Sequence, residues 1–340
     1  MSQKRAKSEH PRRRDTLTPR RKAPVGFAGS DTGSVPLAAI TRGGCVDNLH
    51  RGVVVVCDRD GRILYSAGKP DFIACVRSSA KPTQALCAIE SGAAQTYGFN
   101  DVELALICAS HSGKEPQVAG VRSMLAKAGL AESALICGSG VIDNCSGKHT
   151  GMLAAIRHLG LSLESYWEPW HPYQQRVLAV FSELAGMNPA DVAVAVDGCG
   201  APIFFSPIHM AARVYARLAT PDSFPPGPRH EAAAWIVRAM CAHPEMTGES
   251  DYHEFLPGRD IVLTKCGGFG YLVAGVIGKG IGAALKIEDG SALPARPVMF
   301  EALHRAGAIA TADAKALIRG LTPKILNRRG AEVGEFKLLF

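Results

Sequence analysis

The chain has 340 residues, of which 47% are hydrophobic and 20% charged, enough apolar material for a large core and too much for a disordered polypeptide. Its formal net charge of +7 is local: residues 1–25 carry nine Lys/Arg against Glu9 and Asp15, leaving 29 groups of each sign in the remainder. A nucleic-acid binder shows its basic face on the folded domain, so that class is disfavoured, and no apolar run approaches the ~20 residues of a helical membrane span.

Residues 1–25 therefore read as a basic, disordered tail, and 26–340 as one domain. No apolar segment of the secretory kind follows the tail, and Arg12-Arg13-Arg14 lacks the hydrophobic stretch of a twin-arginine signal. A cytoplasmic location is expected on that basis, with the ten cysteines as free thiols.

In chain order, residues 51–65 read as two strands joined by the turn Asp58-Arg-Asp-Gly61. Helices are predicted over 83–91, 101–107, 123–128, 148–159 and 174–185, and short strands over 135–138 and 192–196. Two more helices, 210–219 and 231–242, precede strands at 260–264, 271–276 and 281–287; helices 297–306 and 312–319 follow. Strands gather at the two ends of the chain and helices fill the middle. That order predicts an α+β fold, an antiparallel sheet with packed helices and a helical insertion, rather than a doubly wound parallel sheet.

Four segments carry possible chemistry. In Arg77-Ser-Ser-Ala-Lys-Pro82, Ser78 and Lys81 stand three apart, within side-chain reach on a helical turn, so a neutral lysine amine could take the serine proton. Ser110 follows an apolar run in Ala109-Ser-His-Ser-Gly-Lys114, and Lys265-Cys-Gly-Gly-Phe-Gly270 places a lysine before glycines that let a substrate approach the backbone. S-x-x-K, S-x-S and K-x-G in that order have the layout of the serine β-lactamase site. Asp143-Asn-Cys-Ser-Gly-Lys148 and Asp197-Gly-Cys-Gly200 contribute Cys145 and Cys199, which could form a soft metal site or simply pack; no C-x-x-C is present, so a closed zinc finger is excluded. The phosphate-cradling G-x-x-x-x-G-K-[ST] is also missing.

Together with Asn144-Cys-Ser-Gly-Lys-His-Thr-Gly-Met-Leu153, Asp197-Gly-Cys-Gly-Ala-Pro202 and the segment 265–290, these motifs resemble the asparaginase II family, the class 3, rhizobial-type L-asparaginases, over roughly residues 36–330. The resemblance implies a serine β-lactamase-like fold, a homodimer, and hydrolysis of L-asparagine to L-aspartate and ammonia. It further implies serine–lysine pairs Ser78 with Lys81 and Ser110 with Lys265, and Zn2+ on Cys145, Lys148 and Cys199. Arg77, His111, Asp197 and Gly267 are the expected substrate-facing residues. The chain departs from the family pattern at Asp47, at Gln117, and in the short stretch before Asn144. Two other readings remain: an amidase or acyltransferase of the same fold acting on another carboxamide, and a non-catalytic zinc-binding protein.

Overall fold

The computed structural model describes residues 32–249 and 252–340; the tail at 1–25 lies outside the described residues. The strands are β1 (Val35–Arg42), β2 (Cys45–Asp58), β3 (Ile63–Ala67), β4 (Ile73–Cys75), β5 (Ala193–Val196), β6 (Pro202–Pro207), β7 (Val262–Gly268), β8 (Tyr271–Val276), β9 (Ile281–Ile287), β10 (Ile325–Leu326) and β11 (Glu332–Leu338). The helices are α1 (Lys81–Glu90), α2 (Ala93–Thr96), α3 (Asp101–Ile107), α4 (Glu115–Lys127), α5 (Ser146–His158), α6 (Pro172–Ala185), α7 (Ile208–Leu218), α8 (Pro228–Ala242), α9 (Pro244–Thr247), α10 (Ala295–Arg305) and α11 (Thr311–Leu321). None of them is long and apolar enough to cross a membrane.

The principal sheet runs β10-β11-β1-β2-β9-β8-β7, with β3 also on β2, and every pairing in it is antiparallel. Alternation along β2 divides two cores. Val53, Val55 and Cys57 point into the larger one with α1, α3, α5 and α7, while Val54 and Val56 point into a second built with α10 and α11. Both faces of the sheet are thus covered, which is why 53–57 is an unbroken apolar run. Against the larger face α7 lies unusually close: a Cβ at Gly275 would stand 2.4 Å from the Tyr215 carbonyl, and one at Gly282 2.1 Å from that of Ala212. These two glycines are cross-strand partners, so they open one slot for the helix.

A second, three-stranded antiparallel sheet, β4-β6-β5, leads into the site. The α+β arrangement expected from the sequence is the one found. The strand expected at 135–138 is not: Leu135 and Cys137 are buried, but the segment is a loop after a 3-10 turn. Conversely β1, β4, β6, β10 and β11 went unpredicted, and β2 begins at Cys45, not Arg51. Its first five residues, Cys45–Leu49, are exposed and interrupted by Asp47 and Asn48; pairing with β1 makes them strand.

Candidate active site

The serine motif sits where β4 ends. A 3-10 turn, Arg77–Ala80, runs directly into α1, whose Pro82 occupies the first turn where no intrahelical N–H is lost. Ser78 lines a cleft of about 310 Å³ together with Arg77, Asn144, Cys145, Asp197, Cys199, Gly267 and Phe269. Gly267 is required by close packing, since a Cβ there would be 2.8 Å from the Val76 carbonyl. One segment of the cleft therefore sets the backbone of another.

Lys81 is buried at the base of this turn. Its Nζ donates to the Ala109 carbonyl at 2.6 Å, to the Asn144 carbonyl at 2.9 Å and to the Ser110 hydroxyl at 3.1 Å. No carboxylate pairs with it among the described residues. Burial, opposed by the Cys145 thiol and reinforced by Lys148 and Lys265, pushes its amine down to about 8. Lys265, on β7, is equally buried but differently partnered: its Nζ donates to Glu249 Oε1 at 2.7 Å. Glu249 also accepts from Arg296 Nη2 at 3.1 Å and from the Cys266 N–H at 2.9 Å. Burial alone would raise the Glu249 carboxyl, but the two cations more than reverse that and leave it below the ordinary value. The pairing of Ser110 with Lys265 implied by the resemblance is thus corrected: in this structure Ser110 is held by Lys81, and Lys265 by Glu249.

Sequence reasoning missed Glu249 because a lone glutamate in Met246-Thr-Gly-Glu249 carries no motif. Only the fold brings it across to β7. The same short segment also fixes the Ser110 loop. Thr247 O accepts from Ser110 N at 3.4 Å, and Gln117 Nε2 donates to Glu245 O at 3.4 Å. Gln117 Oε1 in turn accepts from the Ser112 and Lys114 N–H groups. Asp47, the other departure, pairs with exposed Arg42.

His111 is turned inward. Its Nδ1 accepts from Gly113 N at 3.1 Å, so Nε2 carries the proton and donates to Ser146 Oγ at 2.8 Å. Burial and then Lys81 push the imidazole down to about 4, which keeps it neutral. It shapes the loop and does not line the cleft.

The thiol cluster forms the opposite wall. Donor atoms of Cys145, Asp197 and Cys199 all lie within 4.8 Å of one another, and Lys148 Nζ donates to Cys199 Sγ at 3.0 Å. The two thiols share a hydrogen bond, so the first proton leaves easily and the second is retained: Cys145 is pushed down to about 6 and Cys199 up to about 11. For Lys148, burial would lower the amine, but the Cys145 and Cys199 sulfurs outweigh it and leave it raised. Two buried sulfurs and a carboxylate this close suit a soft, tetrahedral ion. The set adds Asp197 to the expected ligands, within ligand reach alongside Lys148. Helix α5 can present Cys145 and Lys148 here because Gly147 packs on α3, where a Cβ would be 2.3 Å from the Leu106 carbonyl.

Backbone strain is concentrated at the mouth. Arg77 (φ 47°) and Phe269 (φ 50°) both adopt the left-handed conformation, at a cost of order 1–3 kcal/mol each. The Arg77 guanidinium lies 4.5 Å from the Phe269 ring centroid, and its Nη1 is 3.9 Å from Asp197 Oδ1.

The model of the family described as L-asparaginase II matches residues 38–338. The chain belongs to the L-asparaginase II family. No curated protein matches the chain. Among solved structures, one described as Mglu in its native form is 15% identical, with a TM-score of 0.44 over 75% of this chain and 63% of that one. A β-lactamase from Mycobacterium bovis is 13% identical, with a TM-score of 0.39 over 80% of this chain and 95% of that one. The chain thus spans less than two thirds of the length of the Mglu structure.

Proposed function

We propose that the protein hydrolyses L-asparagine to L-aspartate and ammonia through Ser78, with Lys81 as its base. The observation that carries this reading is the partnering of the buried lysines. Lys148 donates to Cys199 and Lys265 to Glu249, whereas Lys81 has no carboxylate partner among the described residues, is faced by the Cys145 thiol, donates to Ser110, and follows the cleft-lining Ser78 by one turn.

In this mechanism the Ser78 hydroxyl gives its proton to neutral Lys81 as Oγ bonds to the amide carbon. Electrons from the carbonyl move to its oxygen, which the N–H groups of Ser78 and Gly267 receive. Lys81 returns the proton through Ser110 to the amide nitrogen; the C–N bond breaks and ammonia departs. Water then attacks the acyl-enzyme, giving its proton back along the same route and releasing the carboxylate and the Ser78 hydroxyl. Lys265, held by Glu249 at 2.7 Å, takes no part in the proton transfers.

Zinc belongs to the same proposal. Cys145 and Cys199 would hold it as thiolates, with Asp197 or a neutral Lys148 as third ligand. It would supply positive charge that orients substrate, while the serines carry the nucleophilic step. The homodimer comes from the family resemblance and is checked by light scattering; the cytoplasmic location is checked by fractionation.

Ammonia release from asparagine, glutamine and a panel of small carboxamides tests the activity. Ser78→Ala and Lys81→Met should each lose roughly 10⁶-fold in kcat with asparagine, the scale seen when a covalent nucleophile or its base is removed. Wild-type turnover in either variant would place the chemistry elsewhere. Preference for another carboxamide would move the activity to the amidase reading.

A further inference from the structure

The cleft mouth holds an arrangement that the acyl-transfer steps do not use. Phe269 is 68% exposed, a large apolar side chain kept in solvent at a left-handed backbone position, and its ring lies against the guanidinium of Arg77, also left-handed. The ring is held in place through its backbone. Gly268 and Gly270 on either side have positive φ, and Lys286 Nζ donates to the Phe269 carbonyl at 2.5 Å. On its other side Arg77 is steadied at 3.9 Å by Asp197. A guanidinium stacked on an aromatic face sheds part of its hydration and keeps its plane, so its N–H fork stays turned toward a partner in that plane. The fork fits a carboxylate with two parallel hydrogen bonds. Arg77 and Ser78 line one cleft of about 310 Å³, so a carboxylate on the fork and a carbonyl at the serine fit one short molecule.

We propose that Phe269 is a positioning residue that holds the Arg77 guanidinium for the carboxylate of the substrate. This rests on the amide-hydrolase reading above.

The test compares kcat/KM for L-asparagine with that for 3-aminopropanamide, which is asparagine without its carboxylate. Phe269→Ala should lower the ratio of the two about 2–5-fold, the worth of an exposed cation–π contact, mainly through a higher KM for asparagine. Phe269→Tyr, which keeps the ring, should retain the wild-type ratio, and Phe269→Leu, which keeps bulk without a π face, should behave as the alanine variant does. An unchanged ratio in Phe269→Ala, or a leucine variant equal to wild type, overturns the proposal. If the wild type hydrolyses no amide, the amidohydrolase reading fails, and Phe269 is decided separately by titration calorimetry with L-aspartate. A 2–5-fold weaker Kd in Phe269→Ala supports it; equal affinities, or no binding to the wild type, overturn it.

Discussion

Replacing Glu249 by glutamine removes the charge and one acceptor: Gln keeps an oxygen for the Cys266 N–H and Lys265 Nζ but turns an NH2 toward Arg296 Nη2. At 2.7 Å to Lys265 and 3.1 Å to Arg296, with an effective dielectric of 20, the lost attraction is about 6 and about 5 kcal/mol before the desolvation already spent on the carboxylate is returned. Breaking a buried ion pair by removing one partner nets about 3–5 kcal/mol of destabilisation, since the orphaned ammonium remains out of water. With about 2.1 cal/mol/K of unfolding entropy per residue over roughly 310 residues, each kcal/mol moves the Tm by about 1.5 °C. Glu249→Gln should therefore melt about 5–8 °C below wild type in calorimetry at pH 7. The sign with pH follows from the lowered carboxyl. Its contribution is fully present above the ordinary glutamate value and is lost as pH falls through the lower folded value, so the gap between variant and wild type closes in acid. A double-mutant cycle with Lys265→Met should return a coupling of about 2–3 kcal/mol. A variant melting within 1 °C of wild type, or zero coupling, would refute the claim that this carboxylate holds Lys265.

Three further outcomes are expected. Wild-type protein purified without chelator should carry about one zinc per chain by elemental analysis, and Cys199→Ser should lose it; equal metal content in both would remove the thiol site from the proposal. His111 should make the protein acid-sensitive: its folded value of about 4 lies below the unfolded value near 6.5, so its stabilisation is full above that pH and falls away toward pH 4. Denaturant titrations should show His111→Gln losing about 2–3 kcal/mol less than wild type between pH 7 and 4.5, and parallel losses would exclude this role. Gly147→Ala forces a Cβ against the Leu106 carbonyl, so α3 and α5 must separate at a cost of about 1–3 kcal/mol. The melting temperature and kcat should fall together, and an unaltered Tm would show that the contact relaxes freely.

Much of this protein was legible along the chain because it depends on local rules. The helices at 101–107 and 174–185, the strands at 271–276 and 281–287, and the α+β order follow from periodicity and turn residues. The S-x-x-K spacing likewise forecast that Ser78 and Lys81 share one turn. Partnership between distant residues is another matter. Whether a buried lysine is a base or a fixed cation depends on the acid beside it, and Glu249 reaches Lys265 only because the α9 segment is laid against β7. The same holds for Asp197 among the thiols and for the exposed first five residues of β2, which become strand only when β1 supplies their hydrogen bonds. Spacing along the chain records what neighbours can do to each other; the charge state of a group out of water is set by whatever the fold packs around it, and that only tertiary structure decides.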